Sequence, residues 1–186
     1  MDKCYFLDMI KNLLEKTENS KRILLTTHRR ESFGAKLSGN LLELKRFVER
    51  HSDACLIFPV HPNPSVRKAI NEIIFHHDRI HLLEPLNYTD FICLMKNAWL
   101  LVSDSGGVQE EAPTLGKPLF VLRENTERPE AISSGIAKLV GENSLTAMLE
   151  ETYADESWLN SVKQITNPFG DGKSAERIAR VLTENC

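Results

Sequence analysis

The sequence lacks the features that identify membrane proteins and nucleic-acid-binding proteins. Its longest apolar runs, such as residues 98–102 and 118–122, have the length of a β-strand and fall far short of the ~20 residues that a membrane helix needs. The formal net charge is −3, from 23 basic and 26 acidic side chains, so no basic surface for nucleic acid is indicated. We therefore expect no membrane span and no nucleic-acid partner, and any phosphate site has to be local.

Cysteine is also scarce, and its spacing argues against the common metal and disulfide patterns. The four cysteines (Cys4, Cys55, Cys93 and Cys186) are widely spaced and form no CxxC motif. Neither they nor the histidines show the spacing of zinc ligands, so we expect no metal. The first residues mix acidic and apolar side chains without a small-residue cleavage site, which is not typical of a secretory signal. The sequence therefore predicts a cytoplasmic protein with buried thiols.

The sequence does contain a regular alternation of short apolar runs and helical patterns. Its 186 residues, 41% hydrophobic and 26% charged, suit one globular domain. The predicted strands are residues 22–27, 54–59, 80–83, 99–103, 118–122 and 136–140. Strands joined by crossover helices predict an α/β fold, a Rossmann-like, doubly wound parallel sheet of about six strands. The pattern divides the chain into a leading helix (residues 1–20), a Rossmann-like domain (21–165) and a C-terminal helix (166–186).

Polar loops follow the predicted strands, and in such a sheet ligands bind at the carboxyl ends of the strands. The first strand is followed by His28, Arg29, Arg30 and Glu31. This cluster suits an anion, because arginine offers a planar fork of donors and histidine a tunable one. The same residues also fit a solvated helix start, with the glutamate near the positive end of the helix dipole. His61 follows the second strand; a lone histidine is usually structural, but its position beside the first loop favours a role in binding.

The segment SDSGGVQEE, at the end of the fourth predicted strand, carries the clearest anion pattern. Ser105, Gly106 and Gly107 can present backbone N–H groups and a hydroxyl to a diphosphate at a helix start, and glycine allows close approach. The alternative is that Ser105 merely caps the helix. Glu110 and Glu111 point about 100° apart on a helix, so one of them can accept from ribose hydroxyls while the other faces water or the sheet.

Six polar segments, in order along the chain, resemble the non-hydrolysing UDP-N-acetylglucosamine 2-epimerases. They are TTHRRESFG, PVHPNPSVR, LNYTDF, SDSGGVQEEAPTLGKP, RENTERPEA and NPFGDGKSAERI. The resemblance covers residues 21–181 and implies a GT-B enzyme, with two Rossmann-like domains and an active site in the cleft between them. This chain resembles the second domain. The resemblance also implies interconversion of UDP-GlcNAc and UDP-ManNAc by elimination of UDP and its re-addition, with no metal or nicotinamide cofactor.

The same resemblance implies roles for individual residues. His28 and Arg128 match catalytic residues at the diphosphate and the reacting sugar, and Glu111 matches the acid that holds the ribose hydroxyls. The remaining matches are Ser105, Gly106 and Gly107 for the diphosphate, Phe91 and the backbone of Leu86 for the uracil, and Arg29 and His61 for a second UDP-GlcNAc that acts as an allosteric activator in bacterial members.

The resemblance further implies partners. The family's acids that move the C2 proton, and a basic loop, belong to the first domain. We therefore expect a first domain in cis or as a separate subunit, with the leading and C-terminal helices near the junction, and we expect UDP, a UDP-N-acetylhexosamine and a second copy in a homodimer as further partners. Alone, the chain is expected to bind nucleotide weakly and to epimerise little. The alternatives are a GT-B glycosyltransferase donor domain and a non-catalytic UDP-sugar-binding module; the HRRE and TERPE sequences favour the epimerase.

Overall fold

A sheet of six parallel strands lies at the centre of the fold. The structure is a computed structural model that describes residues 3–27, 34–74, 77–141 and 143–184. The strands are β1 (Lys21–Thr26), β2 (Ala54–Pro59), β3 (Ile80–Leu83), β4 (Leu100–Ser103), β5 (Leu119–Val121) and β6 (Ala137–Leu139). Their order across the sheet is β3-β2-β1-β4-β5-β6, and each neighbouring pair is parallel. The predicted doubly wound α/β fold is therefore confirmed.

Helices cover both faces of this sheet. They are α1 (Lys3–Lys16), α2 (Ala35–Arg50), α3 (Pro64–Ile73), α4 (Tyr88–Asn97), α5 (Gly106–Glu111), α6 (Pro129–Ser133), α7 (Leu145–Ala154), α8 (Ser157–Val162) and α9 (Ser174–Glu184). The central strand β1 shows why helices pack on both faces of the sheet. Its residues Ile23 and Leu25 pack in the hydrophobic cluster that contains side chains of α2, α3 and α7, whereas Leu24 packs in the cluster on the opposite face, with α1, α4 and α5. Such two-sided burial explains the unbroken apolar runs in the sequence.

The leading helix α1 packs into this core. Ile10 and Leu13 are buried in the same cluster as the inward side chains of α4. The guanidinium of Arg22, at the start of β1, donates to the carbonyl of Leu14 at 2.9 Å and to the carbonyl of Asn97 at 3.2 Å. It thereby satisfies carbonyl groups at the carboxyl ends of both α1 and α4, where the helices leave them without internal partners.

The helical segment that follows β4 is interrupted in the structure. The α-helix α5 ends at Glu111, and a short 3₁₀ turn, Pro113–Leu115, follows. Proline has no backbone N–H to continue the α-helical bonding pattern, which accounts for the change. Gly116 then ends the turn with a positive φ of 61°, a conformation that glycine adopts at little cost.

The last helix, α9, differs from the others because none of its residues is buried by the part of the chain that the structure describes. Its apolar residues Ile178, Val181 and Leu182 lie three and four positions apart and are 60%, 58% and 61% exposed. They form one apolar stripe, since residues at this spacing share a helix face. Within the described ranges, no helix is both long enough and apolar enough to cross a membrane.

Candidate functional site

A cavity of about 350 Å³ lies at the carboxyl ends of β1, β2 and β4. The strand order reverses between β1 and β4, and in open α/β sheets this switch point is where ligands bind. The cavity brings together six of the residues that the sequence singled out: His61, Leu86, Phe91, Ser105, Gly107 and Glu111. His28 and Arg29, which were also predicted for this edge, lie outside the described residues.

The SDSGG turn forms one wall of the cavity. The backbone N–H of Ser105 donates to the hydroxyl of Ser103 at 2.9 Å, which fixes the turn to the end of β4. Ser105 is the N-cap residue of α5, yet its hydroxyl makes no capping hydrogen bond to any described residue of the helix. The alternative role of Ser105 as a side-chain cap is therefore not seen, and the residue lines the cavity.

The two glycines of this turn do not have backbone angles that require glycine. Neither Gly106 nor Gly107 has a positive φ. A Cβ atom added to Gly106 would approach Nη2 of Arg128 at 3.9 Å, and one added to Gly107 would approach Oγ of Ser105 at 3.8 Å, which are ordinary contact distances. The fold itself thus has room for alanine at both positions. What glycine provides here is unobstructed access to the backbone N–H groups at the start of α5.

The adjacent acids of α5 point in different directions. Glu111 lines the cavity, where its carboxylate accepts a hydrogen bond from the hydroxyl of Tyr88. This hydrogen bond to a negative group raises the pKa of the Tyr88 hydroxyl. Glu110 instead forms an ion pair with Nε of Arg128. One acid therefore faces the cavity, as expected for adjacent helix positions, and the other holds a cation of the neighbouring loop.

Arg128 lies beside the cavity wall, next to the SDSGG turn. Its Nη2 atom is close to Gly106, and its Nη1 atom donates to the carbonyl of Glu127 at 3.2 Å. The arginine immediately precedes Pro129, the first residue of α6. The loop after β5 thus brings a half-buried guanidinium towards the backbone donors of α5, and both groups favour an anion.

The start of α4 forms the opposite wall. Asn87 caps this helix: its Oδ1 accepts from the N–H of Asp90 at 2.9 Å, and its Nδ2 donates to the Asp90 carboxylate at 2.7 Å. The cap fixes the entry of α4, so that half-buried Leu86 and Phe91 line the cavity. His61, at its edge, accepts from the N–H of Asn63 through Nδ1 at 3.2 Å. This wall is mainly apolar and suits a planar base.

Three residues at this site were not singled out from the sequence. Tyr88 lines the cavity and bonds to Glu111. Thr27 donates through its hydroxyl to Oδ2 of Asp104 at 2.7 Å, and both residues are buried at the ends of β1 and β4. The available signal was their position: each lies within one of the six polar segments that carry the family resemblance. No described group of histidine, cysteine and acidic side chains is arranged to hold a metal ion.

Comparisons with known proteins identify one family. A family model described as UDP-N-acetylglucosamine 2-epimerase matches residues 2–183. A UDP-N-acetylglucosamine 2-epimerase of Salmonella typhimurium is 43% identical over 166 residues, which are 88% of this chain and 44% of that protein.

Two solved structures are also similar. The S. aureus MnaA–UDP complex is 38% identical with a TM-score of 0.89 and is matched over 94% of this chain and 48% of the other. The UDP-GlcNAc 2-epimerase of Neisseria meningitidis bound to UDP-GlcNAc is 34% identical with a TM-score of 0.85, over 96% of this chain and 52% of the other. The chain thus spans about half the length of the relatives it matches.

Proposed function

The chain belongs to the UDP-N-acetylglucosamine 2-epimerase family, and from this premise we propose that it is the UDP-binding, C-terminal half of such an enzyme. The observation that carries the proposal is the cavity at the switch point, which has an apolar wall at α4 and a donor-rich wall at α5. Its size and two-sided character suit a nucleotide, whose base is apolar and planar and whose diphosphate is anionic. The complexes of the two similar structures, with UDP and with UDP-GlcNAc, support the same ligand class.

Each part of UDP has a complementary group in this proposal. The backbone N–H groups of Gly106 and Gly107 and the Ser105 hydroxyl bind the diphosphate. Glu111 accepts hydrogen bonds from the ribose hydroxyls, and such bonds to a carboxylate are stronger than those to a neutral acceptor. Phe91 contacts the uracil face, while the backbone at Leu86 contacts its edge.

The proposed reaction is the interconversion of UDP-GlcNAc and UDP-ManNAc. The C2 proton is removed, the bond between C1 and the diphosphate oxygen breaks, and UDP leaves with the bonding electron pair, forming a glucal. Re-addition of UDP to C1 and of a proton to the opposite face of C2 gives the epimer. Arg128 stabilises the charge that develops on the departing diphosphate, which is the point where a fixed cation lowers the barrier most. His28 is proposed to act at the same place, from the family resemblance, and Arg29 and His61 at a second, activating UDP-GlcNAc.

The proton-transferring acids are proposed to come from a second, N-terminal domain. The chain spans about half the length of its relatives, and the stripe of Ile178, Val181 and Leu182 on α9 is exposed. Covering such a stripe with another apolar surface is favourable. We therefore propose that the N-terminal domain packs on this face of α9, close to Asp171, which pairs with Arg177 at the start of the helix. The homodimer and the cytoplasmic location stay predictions of the sequence.

Titration calorimetry of the chain with UDP tests the nucleotide site. We expect saturable binding that Glu111→Gln weakens by about tenfold, the loss typical of a hydrogen bond to a charged group. The effect should disappear with 2′,3′-dideoxy-UDP, which lacks the hydroxyls that Glu111 is proposed to bind. Glu151→Gln, an exposed change of the same type on α7, serves as the control and should bind UDP like the parent chain. Absence of UDP binding would overturn the proposal.

A second experiment separates the epimerase from the two alternatives, a glycosyltransferase donor domain and a non-catalytic UDP-sugar-binding module. The chain is mixed with the separately expressed N-terminal half of a homologous epimerase, and UDP-ManNAc formation from UDP-GlcNAc is followed. Turnover that depends on both parts, and that is lost in Arg128→Ala, supports the epimerase. UDP binding without turnover in any such mixture favours a binding module, whereas transfer of the sugar to an added acceptor favours a glycosyltransferase.

A further inference from the structure

The side-chain amide of Gln109 is fully buried and connects the SDSGG turn to the loop after β5. Gln109 lies in α5 with no exposed surface. Its Nε2 donates to the carbonyl of Ser105 at 3.2 Å, and its Oε1 accepts from the hydroxyl of Thr126 at 2.5 Å. One side chain thus bonds both to the SDSGG turn and to the loop after β5. Because a buried amide is costly to leave without partners, these two bonds hold the turn and the loop in one arrangement.

The hydroxyl of Thr126 extends this connection to Arg128. While donating to Gln109, it accepts from the backbone N–H of Arg128 at 3.0 Å. The Arg128 side chain then returns to α5, where Nε pairs with Glu110 and Nη2 lies beside Gly106. The arginine is therefore held at both ends: its backbone by Thr126 and its guanidinium by Glu110.

We propose that Thr126 and Gln109 are positioning residues, which hold the Arg128 guanidinium and the SDSGG turn at the separation needed to bind one diphosphate together. Neither residue is among the described residues that line the cavity. Arg128 is not among them either, but its Nη2 atom lies beside Gly106 of the turn, so Thr126 and Gln109 are proposed to act through Arg128 and Ser105 rather than by touching the ligand. The inference rests on the proposed function only in naming the diphosphate as that of UDP. A fixed hydrogen-bond chain suits this role, because a displacement of about 1 Å in a binding group is enough to weaken its contact with a ligand severely.

A purely structural role for the Thr126 hydroxyl leads to a different expectation. If the bonds only stabilise the loop, their loss changes the free energy of unfolding and leaves ligand preference unaltered. If they position Arg128 against the turn, their loss weakens binding of a ligand that carries a diphosphate and spares one that lacks it. UDP and uridine form such a pair, since they share the base and the ribose.

Thr126 is the better position for the test, because it is half-buried and its hydroxyl can be removed without a change of shape. Thr126→Val removes the hydroxyl and keeps the volume, while Thr126→Ser keeps the hydroxyl and removes the methyl group. In calorimetric titrations we expect Thr126→Val to lower the affinity for UDP about tenfold and to leave that for uridine within about twofold. Thr126→Ser should bind both ligands like the parent chain. Equal UDP affinities in the two variants, or an equal loss for uridine, would overturn the inference.

Amide hydrogen exchange of the ligand-free chain provides a readout that does not depend on nucleotide binding. We expect exchange in peptides covering α5 and in those covering residues 126–133 to be faster in Thr126→Val than in Thr126→Ser or the parent chain. If exchange in either segment stays unchanged, the two are not coupled through Thr126 and the inference fails, even where UDP binds. If the parent chain does not bind UDP, the proposed function fails, while faster exchange of both segments still shows that Thr126 couples the turn to the loop that carries Arg128.

Discussion

Replacement of Gly107 by alanine should affect the stability of the fold and the affinity for UDP in different ways. Gly107 is exposed in the first turn of α5, and an added Cβ would meet Oγ of Ser105 at 3.8 Å, a normal contact distance. Its φ is not positive, so no backbone strain arises. Alanine favours a helix over glycine by roughly 0.5–1 kcal/mol. We therefore expect Gly107→Ala to leave the free energy of unfolding unchanged or to raise it by up to about 1 kcal/mol.

The same methyl group should weaken nucleotide binding. Gly107 lines the cavity, and its backbone N–H is among those without a partner inside α5. We expect a methyl group beside this N–H to crowd a phosphate oxygen that approaches it. Loss of a hydrogen bond to an anion costs at least about 1.4 kcal/mol, which corresponds to a tenfold weaker affinity for UDP. Uridine, which lacks the diphosphate, should bind the variant like the parent chain.

Two measurements on each variant check this reasoning. Urea unfolding followed by tryptophan fluorescence gives the free energy of unfolding, and calorimetry gives the affinity for UDP. Gly39→Ala is the matched control, because Gly39 is exposed in the middle of α2 and no described atom lies within 4 Å of an added Cβ. It should gain the same helix stability and bind UDP normally. A loss of stability above about 1 kcal/mol in Gly107→Ala, or unchanged UDP affinity, would refute the argument.

Two further predictions concern titrating groups outside the cavity. Burial raises the pKa of the Cys55 thiol to about 11. Iodoacetamide at pH 8 should therefore modify half-exposed Cys93 before Cys55, and Cys55 only after unfolding, as peptide mass spectrometry would show. Equal rates of modification of these two cysteines in the native chain would contradict this. The hydrogen bond from Lys21 lowers the pKa of Glu156, so Glu156 stabilises the fold above its unfolded pKa and loses this effect as the pH falls. The loss of stability in Glu156→Gln, below about 1 kcal/mol because the side chain is 40% exposed, should therefore be largest near pH 7. It should diminish in urea titrations as the pH falls below the ordinary glutamate pKa of 4.5; a pH-independent loss would argue against the ion pair.

The fold and the location of the site followed from local patterns in the sequence. Apolar runs such as that of β1 are buried on both faces, as is typical of a parallel sheet covered by helices on both sides. In such a sheet the carboxyl ends of all strands meet at one edge. The loops containing His61 and Ser105, which are more than forty residues apart along the chain, were therefore expected together, and the structure places both at one cavity.

The assignment of individual side chains depended on tertiary structure. Spacing showed that Glu110 and Glu111 diverge, but packing decided that Glu111 faces the cavity with Tyr88 while Glu110 binds Arg128. The family resemblance, rather than spacing, selected Glu111 beforehand. Such choices depend on which loop approaches which helix face and on the rotamers that fit there, and neither is encoded in short-range periodicity.

What the sequence determined by itself is the alternation of strands and helices, because the periodicity of burial is set by backbone geometry. The tertiary structure alone decided that Gln109 and Thr126, which were not among the candidate site residues, connect the SDSGG turn to Arg128. It also decided that the apolar stripe of α9 is left exposed by the described residues. These features arise from contacts between distant segments, whose free energy depends on the complete packing arrangement rather than on any local pattern of residues.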